Sequence, residues 1–185
     1  LTILAEQASK IAARLGRGNV VVAQEAEGDL RIDAKRWSSF WSSLVHVLRN
    51  AVDHGLEPAE EREKLGKAAE AQLRFRAFAR GERMVLAIED DGRGIDLERL
   101  AEKARAAGHA FASEDELLLA VFLDGVSTRD AVSETSGRGV GMAAVRAEAE
   151  ALGGEVRVET EAGRGTRFEF VFPVDDTTLP PEEVR

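Results

Sequence analysis

The sequence predicts an α/β (α+β) two-layer sandwich, a mixed and largely antiparallel sheet with helices on one face. Two observations predict it. The alternating stretches Ala71–Ala79 with Met84–Glu89, and Glu155–Thr160 with Thr166–Phe172, come as neighbouring pairs joined by glycine-bearing turns, as hairpins do. Segments with apolar residues at helical spacing precede, separate and follow them. At 185 residues the chain is long enough for one domain with a sizeable core.

In chain order, Leu1–Leu15 carries Leu1, Leu4, Ala5, Ala8, Ile11, Ala12 and Leu15 on one helical face and stops at Gly16. Asn19–Ala26, with Val20, Val21 and Val22, reads as a strand, and Leu30–Ile32 as a short partner after the Gly28 turn. A helix is expected from Ala34 to Asp53, ended by Gly55 and Pro58. Glu57–Lys67 is dense in charge and reads as a solvated connection. After the first hairpin, Asp96 caps a helix to Ala107, and Ser113-Glu-Asp-Glu opens a second, to Phe122, with a capping-box pattern. Asp124–Arg138 has the composition of a loop over a site. Val140–Leu152 is helical and closes at Gly153-Gly154. The division expected is one domain over 1–174 and an acidic, proline-bearing linker or tail over 175–185.

Charge and composition narrow the function. The formal net charge is −9, with 34 acidic against 25 basic side chains, which argues against nucleic acid and anionic membrane surfaces. There is no cysteine, hence neither a disulfide framework nor a thiolate site. No apolar run approaches the ~18 residues of a membrane span, so no membrane insertion is expected. No signal-peptide pattern opens the chain, and the first residue is Leu1 rather than Met. The expectation is a soluble, cytoplasmic piece of a larger protein.

The chemistry-bearing residues gather in the stretch Leu44–Gly55. His46, Asn50 and Asp53 are spaced four and three apart and share one helical arc, opposite Phe40, Trp41, Leu44, Leu48 and Val52. Three glycine-rich turns follow: Asp90–Gly94, Ser136–Gly141 and Gly163–Thr166. Glycine lets backbone approach a ligand closely. Gly137–Gly141 runs straight into a helix, where free amides and the positive helix end favour a phosphate without any lysine. The spacing is neither a Walker loop nor a dinucleotide fingerprint.

In this order, the His46/Asn50 helix and the three turns resemble the ATP-binding domain of the superfamily of sensor histidine kinases, gyrase B, MutL and heat-shock chaperones, whose fold is the Bergerat type. The resemblance implies ATP and Mg²⁺ as ligands. Asn50 would hold the metal, Asp90 would accept from the adenine amino group, and Gly92, Gly94 and Ile95 would shape the base pocket. Ser136, Gly137, Arg138, Gly139, Val140, Gly141 and Met142 would wrap the phosphates. Hydrolysing members carry Glu four residues before the Asn. Here that position is His46, which favours a phosphotransferase.

The runs H-V-L-R-N-A-V-D-H-G-L-E, E-D-D-G-R-G-I-D, V-F-L-D-G-V-S-T and S-G-R-G-V-G-M are similar to the chemotaxis kinase CheA family, over about Leu1 to Val174. That resemblance adds His54 at the site edge, Arg99 near the phosphates, and Ser127 and Thr128 near the γ-phosphate. It also counts Asp53 and Thr166 among the nucleotide-contacting residues. His46 would be catalytic, as orienter or base, or a further metal ligand. The family's Pro-Gly-Phe-Ser-Thr is Asp124-Gly125-Val126-Ser127-Thr128 here, without the aromatic. His109, the third of three histidines, reads as an exposed loop residue. The acceptor would then lie on a separate histidine phosphotransfer domain, and the chain would belong to a larger kinase with dimerisation and coupling domains. The implied activity is γ-phosphoryl transfer from Mg·ATP. The alternative is a nucleotide-binding regulatory module without kinase activity.

Overall fold

In the computed structural model, which describes residues 1–17, 19–28, 32–126 and 141–174, five strands form one sheet in the order β1-β2-β3-β5-β4. The strands are β1 (Val20–Ala26), β2 (Ala71–Arg80), β3 (Arg83–Asp90), β4 (Glu155–Glu161) and β5 (Gly165–Pro173). The two expected hairpins are present, and β3 and β5 pair antiparallel to join them, Asp90 opposite Thr166. Only β1 runs parallel to its neighbour, Val20 opposite Ala71. A parallel neighbour requires a long crossover, and the helices between residues 27 and 70 supply it. The expected partner strand at Leu30–Ile32 is not what β1 pairs with. Residues 30 and 31 lie outside the described residues, and Ile32 is not in a strand.

Strand alternation assigns the two faces. Leu73 and Phe75 of β2, Met84, Leu86 and Ile88 of β3, and Phe168, Phe170 and Phe172 of β5 all enter one apolar core. Against them pack α1 (Thr2–Arg14) through Leu4, Ala8 and Ala12, α2 (Ser38–Ser43), α3 (Val45–Asn50) and α7 (Met142–Ala151) through Val145 and Ala149. Phe40 is central, with its ring centroid 5.3 Å from Phe170 and 5.1 Å from Phe172, both edge-on. The opposite face is a lattice of ion pairs, among them Arg76–Glu25 at 3.1 Å, Arg80–Glu169 at 3.3 Å and Arg167–Glu89 at 3.4 Å. A smaller core joins α5 (Leu97–Ala106) and α6 (Glu114–Leu119) through Leu100, Ala104 and Leu117. Asp96 and Ser113 cap these two helices as expected, accepting from Arg99 N at 3.0 Å and Glu116 N at 3.2 Å. Among the described residues, no helix is long and apolar enough to cross a membrane.

Two expectations change. The helix from Ala34 to Asp53 begins late, at Ser38, because the Asp33 carboxylate accepts from the amides of Lys35 and Arg36 and holds a turn there. It also ends differently. After Asn50 the chain widens into a π-helical turn, Ala51–Gly55, where Leu56 N–H reaches back five residues to Ala51 O at 2.8 Å. The segment Glu57–Lys67 holds α4 (Ala59–Lys64), and it is not simply solvated: Glu57 and Arg62 are each 1% exposed. Phe40→Ala is expected to lower the unfolding free energy by about 3–5 kcal/mol through the cavity it leaves, read from urea denaturation.

Candidate functional site

The site is built on α3 and the turn that follows it. Val47, Leu48, Ala51 and Val52 are buried in the core, so the other side of the same helix is left for His46, Asn50 and Asp53. His46 and Asn50 are half-buried. Asp53 Oδ2 lies 3.6 Å from His54 Nε2, with both side chains partly open to solvent. The π turn carries the chain onward to Gly55, whose backbone meets the end of β3. A Cβ placed on Gly55 would lie 3.3 Å from Asp90 Oδ1. Asn50 thus lies five residues before Gly55, the residue whose backbone abuts Asp90.

Asp90 ends β3, and Gly92 and Gly94 shape the turn after it. Gly92 has no room for a side chain, because a Cβ there would fall 2.1 Å from Gly55 O. Gly94 adopts φ +78°, and its Cβ would meet Glu161 O at 2.6 Å. Three further bonds lock this turn to its surroundings: Arg93 N to Gly55 O at 2.9 Å, Gly163 N to Arg93 O at 2.8 Å, and Ile95 N to Thr160 Oγ1 at 2.9 Å. The Asp90 carboxylate accepts from Gly92 N at 3.0 Å and from the Thr166 amide. Burial nevertheless dominates and pushes its carboxyl up to about 6, the two amides opposing and the charges of Asp91 and Glu57 adding to it. A carboxyl group desolvated in this way, beside helix residues with no core to fill, is a candidate for contact with a ligand.

The neighbouring Asp91 faces the other way. Arg62 grips it with both guanidinium nitrogens, at 2.7 and 3.0 Å, and also reaches Glu57 at 3.2 Å and Ala68 O at 2.7 Å. Lys67 Nζ bonds Glu57 Oε1 at 2.8 Å and the carbonyls of Asp91 and Gly92 at 2.9 and 2.8 Å. Gln72 N donates to Asp91 Oδ1 at 2.9 Å. Burial raises the Glu57 carboxyl, but the bond from Lys67, a backbone hydrogen bond and the charges of Lys67 and Arg62 outweigh it and hold it below its usual value.

Asp90, Gly92 and Thr166 therefore meet at the ends of β3 and β5, with Gly94 in the same turn and Gly55 against them, and Asn50, Asp53 and His54 lead into Gly55 along α3 and the π turn. Ile95 packs partly into the core. Arg99 sits exposed in the first turn of α5, and its amide serves the Asp96 cap. Gly141 and Met142 open α7, with no side-chain cap, and Met142 leans on the core. Ser127, Thr128, Ser136, Gly137, Arg138, Gly139 and Val140 lie outside the described residues. Sequence reasoning missed Glu57, Arg62, Lys67, Asp91 and Thr160. One signal was available: of two adjacent aspartates on an extended chain only one can face a given pocket, so the other requires a cationic partner.

With this geometry in place, comparison with known proteins defines the class. Residues 41–176 match the family described as histidine kinase-, DNA gyrase B-, and HSP90-like ATPase. The chain belongs to this family of ATP-binding domains. A gliding motility regulatory protein of Myxococcus xanthus is 42% identical over 151 residues, 78% of this chain and 19% of that protein. The chemotaxis protein CheA of Cereibacter sphaeroides is 41% identical over 135 residues, 71% of this chain and 20% of that protein. Sensor histidine kinase CheAY of Helicobacter pylori is 34% identical over 170 residues, 89% of this chain and 21% of that protein. The chain thus spans about a fifth of the length of these relatives. Among solved structures, full-length ShkA in complex with AMPPNP superposes with a TM-score of 0.57 at 22% identity, covering 97% of this chain and 31% of that one. The mycobacterial sensor histidine kinase MprB gives 0.55 at 18% identity, covering 96% and 95%. These two likenesses show the fold.

Two outcomes test the site's energetics. Arg62→Met, which leaves Glu57 to Lys67 alone and Asp91 to the Gln72 amide, is expected to cost about 3 kcal/mol in urea unfolding. For Asp90 the folded pKa, about 6, lies above the ordinary carboxyl value of 3.8. Its contribution to stability is therefore full below pH 3.8 and lost as pH rises through 6. Asp90→Asn, which does not titrate, is expected to gain on wild type by about 2–3 kcal/mol between pH 4 and pH 7.5, read from parallel denaturation series.

Proposed function

We propose that this domain binds Mg·ATP at the α3–β3–β5 junction and passes the γ-phosphoryl group to a histidine on a separate phosphotransfer domain. The setting we propose is CheA-like two-component signalling in the cytoplasm, with this chain the catalytic part of a larger kinase. The observation that carries the reading is the Asp90 carboxylate, desolvated yet held by two backbone amides and set against Gly55 at the end of the turn that follows Asn50. At neutral pH such a group is an ionised acceptor, suited to the exocyclic amino group of adenine.

Among the described residues there is no group of three His, Cys, Asp or Glu side chains able to hold a metal. Mg²⁺ binds ATP enzymes through one or two protein oxygens and takes its other ligands from phosphate and water, a role the amide oxygen of Asn50 suits. Asn50 would hold it, with His46 as a candidate second ligand. Bound there, the ion would offset the negative charge of the phosphates. The glycine-rich stretch from Ser136 to Met142 would offer backbone donors to the phosphates, with Ser127, Thr128 and Arg99 nearby. The incoming imidazole nitrogen attacks the γ-phosphorus, the bond to the β-phosphate oxygen breaks, and ADP leaves. Such a transfer depends on positioning and charge compensation rather than covalent help. His46 stands where hydrolysing relatives of this resemblance carry Glu, so no carboxylate there primes a water.

The test is transfer of label from γ-labelled ATP to a purified histidine phosphotransfer domain. Labelling of that domain is expected, at a rate that falls at least 100-fold in Asn50→Ala. The same substitution is expected to abolish the Mg²⁺-dependent part of the thermal stabilisation by ATP. Nucleotide-induced stabilisation with no labelled acceptor would leave the regulatory-module reading in place of the kinase one.

A further inference from the structure

We infer that Lys67 is a positioning residue for base selection, fixing the peptide units that orient Asp90 and Gly55 and so setting how strictly the site takes a 6-aminopurine. This rests on the reading of Asp90 as the base acceptor. The Lys67 ammonium has three hydrogens and three acceptors at 2.8–2.9 Å: Glu57 Oε1, Asp91 O and Gly92 O. No donor is left over for a ligand, so the residue acts through what it holds.

What it holds is specific. The peptide unit between Asp91 and Gly92 is planar, and it is gripped at both ends. Its carbonyl accepts from Lys67 at 2.9 Å, and its N–H donates to Asp90 Oδ1 at 3.0 Å. The next unit, between Gly92 and Arg93, repeats the arrangement. Its carbonyl accepts from Lys67 at 2.8 Å, and its N–H donates to Gly55 O at 2.9 Å. Two consecutive rigid planes therefore relay one ammonium to two groups at the junction, a carboxylate and a carbonyl. Rotating either plane breaks a bond on each side, and bonds in such a chain polarise one another. Glu57, itself buried and bonded to Arg62, fixes the ammonium from behind.

The experiment compares ADP with IDP, which carries oxygen in place of the 6-amino group, by calorimetric titration of the 185-residue chain. Wild type is expected to prefer ADP by about 10–100-fold, the worth of a hydrogen bond to a charged acceptor. Asp90→Ala, which removes the acceptor altogether, should abolish the preference. If it does not, the base-acceptor reading fails whatever Lys67 does. Lys67→Met should cut the ADP/IDP ratio to a third of wild type or less, in a chain that circular dichroism shows to be folded at the assay temperature. Lys67→Arg keeps the charge beside Glu57, and is the second variant should the methionine chain not fold. Its broad guanidinium does not reproduce a point donor to both carbonyls, and the ratio should fall there too. A role in stability alone lowers the melting temperature and leaves the ratio alone. A folded variant whose ratio stays above a third of wild type, while Asp90→Ala loses the preference, overturns the proposal.

Discussion

Arg62 and Lys67 meet Glu57 and Asp91 in a group of four charges that sums to zero behind the turn of residues 90–94. Removing such charges from water is costly, and the group is tolerable only because each member finds several partners. Three chain segments meet there: the connection after α3, the start of β2 and the end of β3. The ionic group supplies the specificity of position that the core supplies elsewhere, and the candidate ligand face is built directly on it.

Asp90 is the counterpart on the open side. Its carboxylate sits where burial disfavours its charge, and two amides only partly compensate. A sequence selected for stability alone would place an uncharged residue at the end of β3. Retaining the carboxylate makes sense where its charge is completed by a donor from outside the chain. The two aspartates of one dipeptide thus have opposite fates, Asp91 neutralised by Arg62 and Asp90 held by amides alone. Strand alternation is what separates them.

Much of this was legible in the sequence, where the signal was local. Asp96 and Ser113 announced their helices because a cap acts within three residues, and the hairpins announced themselves through alternation beside tight turns. Gly92 and Gly94 were legible as points of close approach, although what they approach, Gly55 and Glu161, was not. The reading failed where partners lie far apart. The valines of β1 give a strand but not the direction of its neighbour. The charges of Glu57–Lys67 look identical in sequence whether solvated or buried, and the residue that decides, Asp91, lies 29 positions beyond Arg62. The π turn after Asn50 was also hidden, because what accompanies it is a bond from Arg93 to Gly55 O and not a local propensity.

The pairing of Asp90 with Thr166 joins strands that are neighbours in the sheet but separated in sequence by residues 91–165. That intervening stretch leaves and returns at the same place. It is no loose loop: α5 and α6 build the smaller core, α7 buries Val145 and Ala149 in the main one, and β4 extends the sheet beside β5. Insertions are therefore tolerated at the connections between these elements, whereas within them they would displace core side chains or shift strand register.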